Sequence, residues 1–188
     1  MITTTRYDLN WLKSQIRSGT TLKYIYFWGN TEKSGELTKA CFSQWYNAPF
    51  TVEGIEYKTA EHWMMARKAL LFGDTEVLGQ IIQSVKPAEA KALGRKVRNY
   101  SEATWLQHRY AIVVEGNIHK FGQHPALREF LLDSGDRVIV EASPVDAIWG
   151  MGMAQDHRHI ADPEQWRGLN LLGFALMEAR DFLKTQEA

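Results

Sequence analysis

The chain has 188 residues, 45% of them hydrophobic, with 22 Lys+Arg balanced by 22 Asp+Glu and a single cysteine, Cys41. That size and apolar content fit one domain with a full core, and no Pro/Gly/Ser-rich linker marks off a second. Zero net charge excludes bulk charge as a reason to bind duplex DNA or a membrane surface, while leaving room for a local basic patch. One cysteine cannot form an intrachain disulfide, the first residues lack the apolar core of a secretory signal, and no apolar run is long enough to span a bilayer. A cytoplasmic protein with no membrane partner is therefore expected.

In chain order, residues 7–18 read as a short amphipathic helix with Leu9, Leu12 and Ile16 on one face. KYIYFWG (23–29) is aromatic and β-branched, a strand stopped at Gly29-Asn30. A polar loop or hairpin tip (31–39) follows, then two short strands, FTV and IEY, around a Glu53-Gly54 turn. Thr59 is placed to cap a helix over 59–74 that ends at Gly73, and residues 75–84 form another. Pro87 opens a third helix running to Val97, and Ser101 caps a long one reaching Phe121. Pro125 starts the next, which Gly135 ends. RVIVEA (137–142) is a buried strand, and Asn170 caps the last helix. Helices dominate and no βαβ alternation appears, which argues against a Rossmann sheet. The predicted class is α+β, mainly helical, with a few short strands. The 7 tryptophans serve either a Trp-rich core or stacking surfaces for a flat ligand.

The segment Glu61–Phe72 has apolar side chains all around a helix of 100° per residue, so it is expected to be surrounded by protein. Glu61 and Lys68 nevertheless fall on nearly one stripe, seven residues or roughly 10 Å of rise apart. Charges in an apolar setting are costly unless paired. Either they pair with each other or with other elements, or they floor a pocket that presents a carboxylate and an amine to a ligand. Burial would push both toward their neutral forms, while the dipole at the helix start opposes this at Glu61. His62 points elsewhere.

Other groups are less directional. GRKVR (94–98) is a solvated helix end or a phosphate site of forked arginines. Gln44 and Asn47 lie in an aromatic-rich loop and could read a base edge. The loop EASPVDAIWGMG (141–152), delivered by the strand before it, gathers Glu141, Asp146, Trp149, Gly150 and Gly152. None of the 6 histidines has metal-ligand spacing, so no metal or cofactor is expected. There is no P-loop, no GxGxxG after a strand and no GxSxG elbow.

FSQW (42–45), TAEHWMMARKA (59–69), LGR (93–95), Trp105, Lys120-Phe121, LLDSG (131–135), VEASPVDAIWGMG (140–152) and GLNLLGFALMEAR (168–180) occur in that order. In this the chain resembles the NADAR family, also called YbiA-like. The resemblance spans about Phe27 to Phe182, so residues 1–22 are expected to be an N-terminal extension and 23–186 one compact domain. Short family members often carry F-S-N-F where this chain has Phe42-Ser43-Gln44-Trp45, and K-F-x-Q-N where it has His124.

The resemblance implies an N-glycosidase that cleaves ribose C1 from an exocyclic amine. The substrate is a phosphoribosylamino pyrimidine of early riboflavin synthesis or an ADP-ribosylated guanine in nucleic acid. The alternative is a module that binds ADP-ribose or a nucleotide without turnover. Matching positions are Glu61, Lys68, Trp105, Lys120, Asp146 and Trp149. The expected site is Glu61, Lys68 and Asp146 for catalysis, with Phe42, Gln44, Asn47, Arg95, Trp105, Lys120, Trp149, Gly150 and Gly152 contacting substrate. In this reading Trp149 stacks on the base, and the two glycines let backbone approach the sugar or a phosphate. Lys68, neutralised by burial, either attacks C1 to give a Schiff base or holds a phosphate or hydroxyl while a carboxylate activates water.

Overall fold

A computed structural model describes residues 5–32 and 35–186. Within them are seven α-helices, a two-stranded parallel ribbon and a short hairpin. In order these are α1 (Leu9–Arg17), β1 (Tyr24–Phe27), a hairpin of β2 (Phe50–Val52) and β3 (Ile55–Tyr57), α2 (Ala60–Leu71), α3 (Thr75–Gln83), α4 (Pro87–Gly94), α5 (Glu102–Gln123), α6 (Pro125–Leu132), β4 (Val138–Glu141) and α7 (Leu171–Thr185). Short 3-10 turns occupy Lys39–Phe42 and Pro163–Gln165. The class is the predicted one, α+β and mainly helical. The helix expected to reach Val97 stops at Gly94, and the chain turns through Asn99 with a left-handed backbone. Among the described residues no helix is long and apolar enough to cross a membrane.

The ribbon joins distant parts of the chain. β1 runs parallel to β4, with Tyr24 opposite Val138 and Phe27 opposite Glu141, and the hairpin and five helices lie between them in sequence. Val138, Ile139 and Val140 are fully buried, as a β-branched run covered on both faces should be.

The second edge of β4 is met by a side chain. Asn170 donates from Nδ2 to the Ile139 carbonyl at 3.0 Å and accepts the Glu141 N–H on Oδ1 at 2.9 Å. This corrects the expected helix cap. Asn170 does precede α7, but it is left-handed (φ 52°) and its side chain makes no capping bond. Asparagine tolerates that backbone region better than most residues. Three positions on, Gly173 allows α7 to press on β4, since a Cβ there would overlap the Ile139 carbonyl oxygen.

α5 packs on both α7 and α2. Trp63 of α2 lies over Gly116 of α5, where no side chain would fit, and donates its indole N–H to the Ile112 carbonyl at 2.8 Å. The first two turns of α2, Ala60 to Ala66, are buried throughout, but Leu70 is 50% exposed. The helix is thus enclosed at its start and open at its end. Tyr7 and Leu12 also enter the common core, and the Tyr7 hydroxyl donates to Asp181 of α7 at 2.7 Å.

Asn170→Ala removes both edge bonds and orphans a buried N–H and C=O. We expect a loss of about 2 kcal/mol of stability, at roughly 1 kcal/mol per bond. It should be read as a lower denaturant midpoint at unchanged slope.

Candidate active site

A cavity of about 590 Å³ opens between α2, α4, the 43–45 turn and the loop after β4. Its floor is the α2 stripe. Glu61 and Lys68 both line it, with Met64 and Met65, so the sequence's pocket alternative describes the arrangement rather than a mutual ion pair.

Glu61 is 3% exposed, and its Oε1 has no hydrogen-bond partner. Burial pushes its carboxyl up to about 7. Lys91, Trp45 and Arg95 favour the charged form against that, while Asp146 adds to the rise. Lys68 donates to the Gly94 carbonyl at 2.9 Å and lies over the rings of Tyr100 and Trp105, 4.3 and 5.5 Å from their centroids. Burial lowers its proton affinity, and Glu102 opposes this. Gly94 fits here because the Met65 side chain occupies the space a Cβ would need.

The loop after β4 forms one wall. Asp146 accepts the N–H groups of Ile148 at 2.9 Å and Trp149 at 2.8 Å on Oδ1, a local turn of the kind aspartate favours. The loop is then pinned to the approach to α7. Leu169, Asn170 and Leu172 donate to the carbonyls of Ala147, Gly150 and Trp149, each at 3.0 Å. Trp149 is half-buried and lines the cavity with Trp28, Trp45 and Trp105. Four of the 7 tryptophans therefore face the cavity, and the stacking alternative gains over a purely structural one. Gln44 lines it too. Its Oε1 accepts from Asn117 at 3.1 Å, and its buried Nε2 has no partner.

Five expected contact residues lie elsewhere. Phe42 is wholly buried in an aromatic cluster with Phe27, Phe121 and Phe130. Asn47 is exposed and outside the cavity lining. Lys120 is fully buried, donating to the carbonyls of Cys41 at 2.6 Å and Ser43 at 2.9 Å. It anchors the turn that presents Gln44 and Trp45. Gly150 and Gly152 approach protein backbone rather than a ligand. A Cβ on Gly150 would crowd the Asp146 and Glu141 carbonyls, and one on Gly152 would crowd Arg167 and Gly168. Of the cations in GRKVR, Arg95 lines the cavity, whereas Arg98 binds the buried Asp74 at 3.0 Å through Nε.

Two charged residues that the sequence did not single out for the site also line it. Glu141, grouped with the 141–152 loop but given no role there, has a buried Oε2 with no partner. Burial pushes its carboxyl up to about 7, Asp146 and Glu61 add to the rise, and Lys91 opposes. Lys91 of α4 lies one turn before Arg95, 5.7 Å from the Trp45 ring centroid, and its charge favours the ionised form of both Glu61 and Glu141. The i, i+4 spacing of Lys91 and Arg95 was the available signal.

The profile of the NADAR domain matches residues 26–184. The chain belongs to the NADAR domain family. An N-glycosidase of Acanthamoeba polyphaga mimivirus is 42% identical over 166 residues, covering 86% of this chain and 96% of that protein. N-glycosidase YbiA of Escherichia coli is 28% identical over 163 residues, covering 87% and 90%. The NMR structure of the E. coli protein YbiA aligns with a TM-score of 0.70 over 88% of this chain and 87% of that one. The NADAR fold thus accounts for nearly the whole chain.

Burial lowers the Lys120 ammonium to about 7 from the 10.5 of a free lysine. The unfolded chain therefore binds the extra proton between those values, and this group's contribution to stability rises with pH across that window. In Lys120→Met the contribution is gone. The wild-type minus variant difference in unfolding free energy should increase from pH 7 to 9.5 in denaturant titrations.

Proposed function

We propose that this chain, like the relatives named N-glycosidases, is a hydrolase of N-glycosyl bonds, and that it cleaves ribose C1 from the exocyclic amine of a base on a phosphate-bearing substrate. The observation that carries the reading is Glu61, a buried carboxyl held near neutrality, with an unpartnered oxygen, on the floor of the cavity that also holds Lys68. Such a group can hold a proton at neutral pH and release it to a leaving nitrogen. A pure binding module has no use for that.

In this reading the base lies among the tryptophans, with the unpartnered Gln44 amide donating to its edge. Asp146 accepts from ribose hydroxyls. Lys91 of α4 and Arg95 at its C-cap hold the phosphate. Glu61 protonates the exocyclic nitrogen as the C1–N bond breaks, and its electron pair leaves with the amine. Lys68, its proton affinity lowered, attacks C1, and water later releases the sugar. The contact at 4.3 Å with the Tyr100 ring favours a second route, in which Lys68 stays an ammonium and water attacks directly. Trp28, 61% exposed at the cavity rim, favours a base carried in a nucleic-acid strand over a free pyrimidine, because it offers a flanking base a stacking surface.

The test is product analysis by mass spectrometry on an oligonucleotide carrying ADP-ribosylated guanine, beside a phosphoribosylamino pyrimidine. We expect free ADP-ribose and restored guanine. Glu61→Gln should reduce turnover by about 100-fold or more while leaving affinity unchanged. Equal affinity and no turnover in both proteins would establish the binding module instead. Borohydride added during turnover should fix the sugar to Lys68 if the amine attacks, and leave the protein unlabelled if water does.

A further inference from the structure

We propose that Glu141 is a second catalytic carboxyl of this cavity, taking the proton shed by the attacking group while Glu61 delivers one to the leaving nitrogen. The inference rests on the N-glycosidase reading and adds a residue to it.

The geometry points to Glu141 in three ways. First, its backbone is held from both sides. Its N–H is bound by Asn170 at 2.9 Å and its carbonyl accepts the Met151 N–H at 2.9 Å. The side chain thus leaves the end of β4 from a fixed origin and lines the cavity. Second, its Oε2 is buried and has no hydrogen-bond partner. A structural glutamate shut away from water is normally bonded by its surroundings, because an unsatisfied buried carboxylate is costly. Glu141 itself lines the cavity, and its carboxyl keeps hydrogen-bonding capacity that no protein group takes up. Third, its neighbours divide the work. Asp146 has Oδ1 committed to two loop amides and is half-exposed, which suits holding hydroxyls. Glu61 reaches the cavity from α2 and Glu141 from β4, so the two carboxyls approach from different elements.

The charges around the pair set its protonation. Glu141 faces Asp146 from the loop, Glu61 from α2 and Lys91 from α4. Glu61 faces Lys91 from α4, Arg95 from that helix's C-cap, Trp45 and Asp146. Burial raises the cost of ionising each carboxyl, and Asp146 adds to it at both, so this cavity holds a proton more readily than water does. The step then balances. Glu61 as acid gives its proton to the exocyclic nitrogen, and the C1–N electron pair leaves on the amine. The attacking water or lysine forms its bond to C1 and gives its proton to the Glu141 carboxylate. One acid and one carboxylate remain, exchanged, and a proton returning through solvent resets them. With water as the attacking group the net change is one water consumed and one amine and one free sugar formed; with Lys68 the sugar stays bonded to its nitrogen until a second step adds that water and frees both.

The test uses the full chain with ADP-ribosylguanosine and three variants. Glu141→Gln should lose about 100-fold or more in kcat with KM within about threefold and no fall in melting temperature. Its residual activity should lose the alkaline limb at a lower pH than wild type, because removing a negative neighbour makes Glu61 a stronger acid. Glu141→Asp should recover part of the rate. Added formate should restore turnover in Glu141→Ala, which a merely structural role would not allow. A wild type that turns over alongside an equally fast Glu141→Gln overturns this inference alone. So does a rate loss that tracks a loss of melting temperature, with no formate rescue. A wild type that releases no base overturns the N-glycosidase reading, and this inference with it.

Discussion

The site depends on one unusual strand pairing. β4 has a single strand neighbour, and Asn170 supplies the other edge through two side-chain bonds. An isolated two-stranded ribbon is marginal in water. Here β4 is buried up to Glu141 and both its edges are satisfied, so its end becomes a fixed point. From that point three things follow. Glu141 leaves toward the cavity, the loop to Met151 folds back onto the Glu141 carbonyl, and α7 starts against Ile139 without room for a side chain at Gly173. A parallel strand pair, an asparagine and a glycine thus place a wall of charged and aromatic groups that no single element could hold.

The electrostatics of the cavity follow from that placement. Three carboxyls, Glu61, Glu141 and Asp146, face Lys91, Arg95 and Lys68 in a partly closed space. Charges of both signs lie close, yet they are not neutralised as ion pairs. Lys68 is turned to a backbone carbonyl and two rings, and the buried glutamate oxygens are left open. A stability-driven core would pair or remove such groups. Unmet polar capacity concentrated in one cavity is the usual cost of a functional site.

Much of this was legible in the sequence. The α2 stripe showed Glu61 and Lys68 as misplaced charges on an apolar helix, and burial supplied the direction of both shifts. Turn and cap residues at Thr59, Ser101, Pro87 and Pro125 marked element starts well, because their physics is local. The misses share a cause, which is long-range contact. Lys91 looked like any cation on a short helix until Trp45 and two glutamates were brought to it from elsewhere. Glu141 follows Val140 in a strand and reads as alternation. Lys120 resembled a ligand-binding helix-end charge, but the 41–43 turn folds over it. Gly150 and Gly152 did mark close approach, as glycines in a loop should. The approaching group was protein, which composition cannot distinguish from a ligand. Asn170 carried the right residue type for a helix start and spent it on a strand.

The order of synthesis gives the ribbon a further meaning. β1 emerges from the ribosome long before its partner, with the hairpin and five helices made in between. Those helices can begin to pack as they appear, since their contacts are largely with neighbours in sequence. The ribbon cannot close until β4 and then Asn170 are available, and a contact so distant in sequence is slow to form. The nascent chain therefore holds Glu61 and Lys68 without the opposing wall until β4 and the loop after it are made. Any activity that needs both walls is withheld from incomplete chains, and a truncation that spares α2 but removes α7 leaves half a cavity.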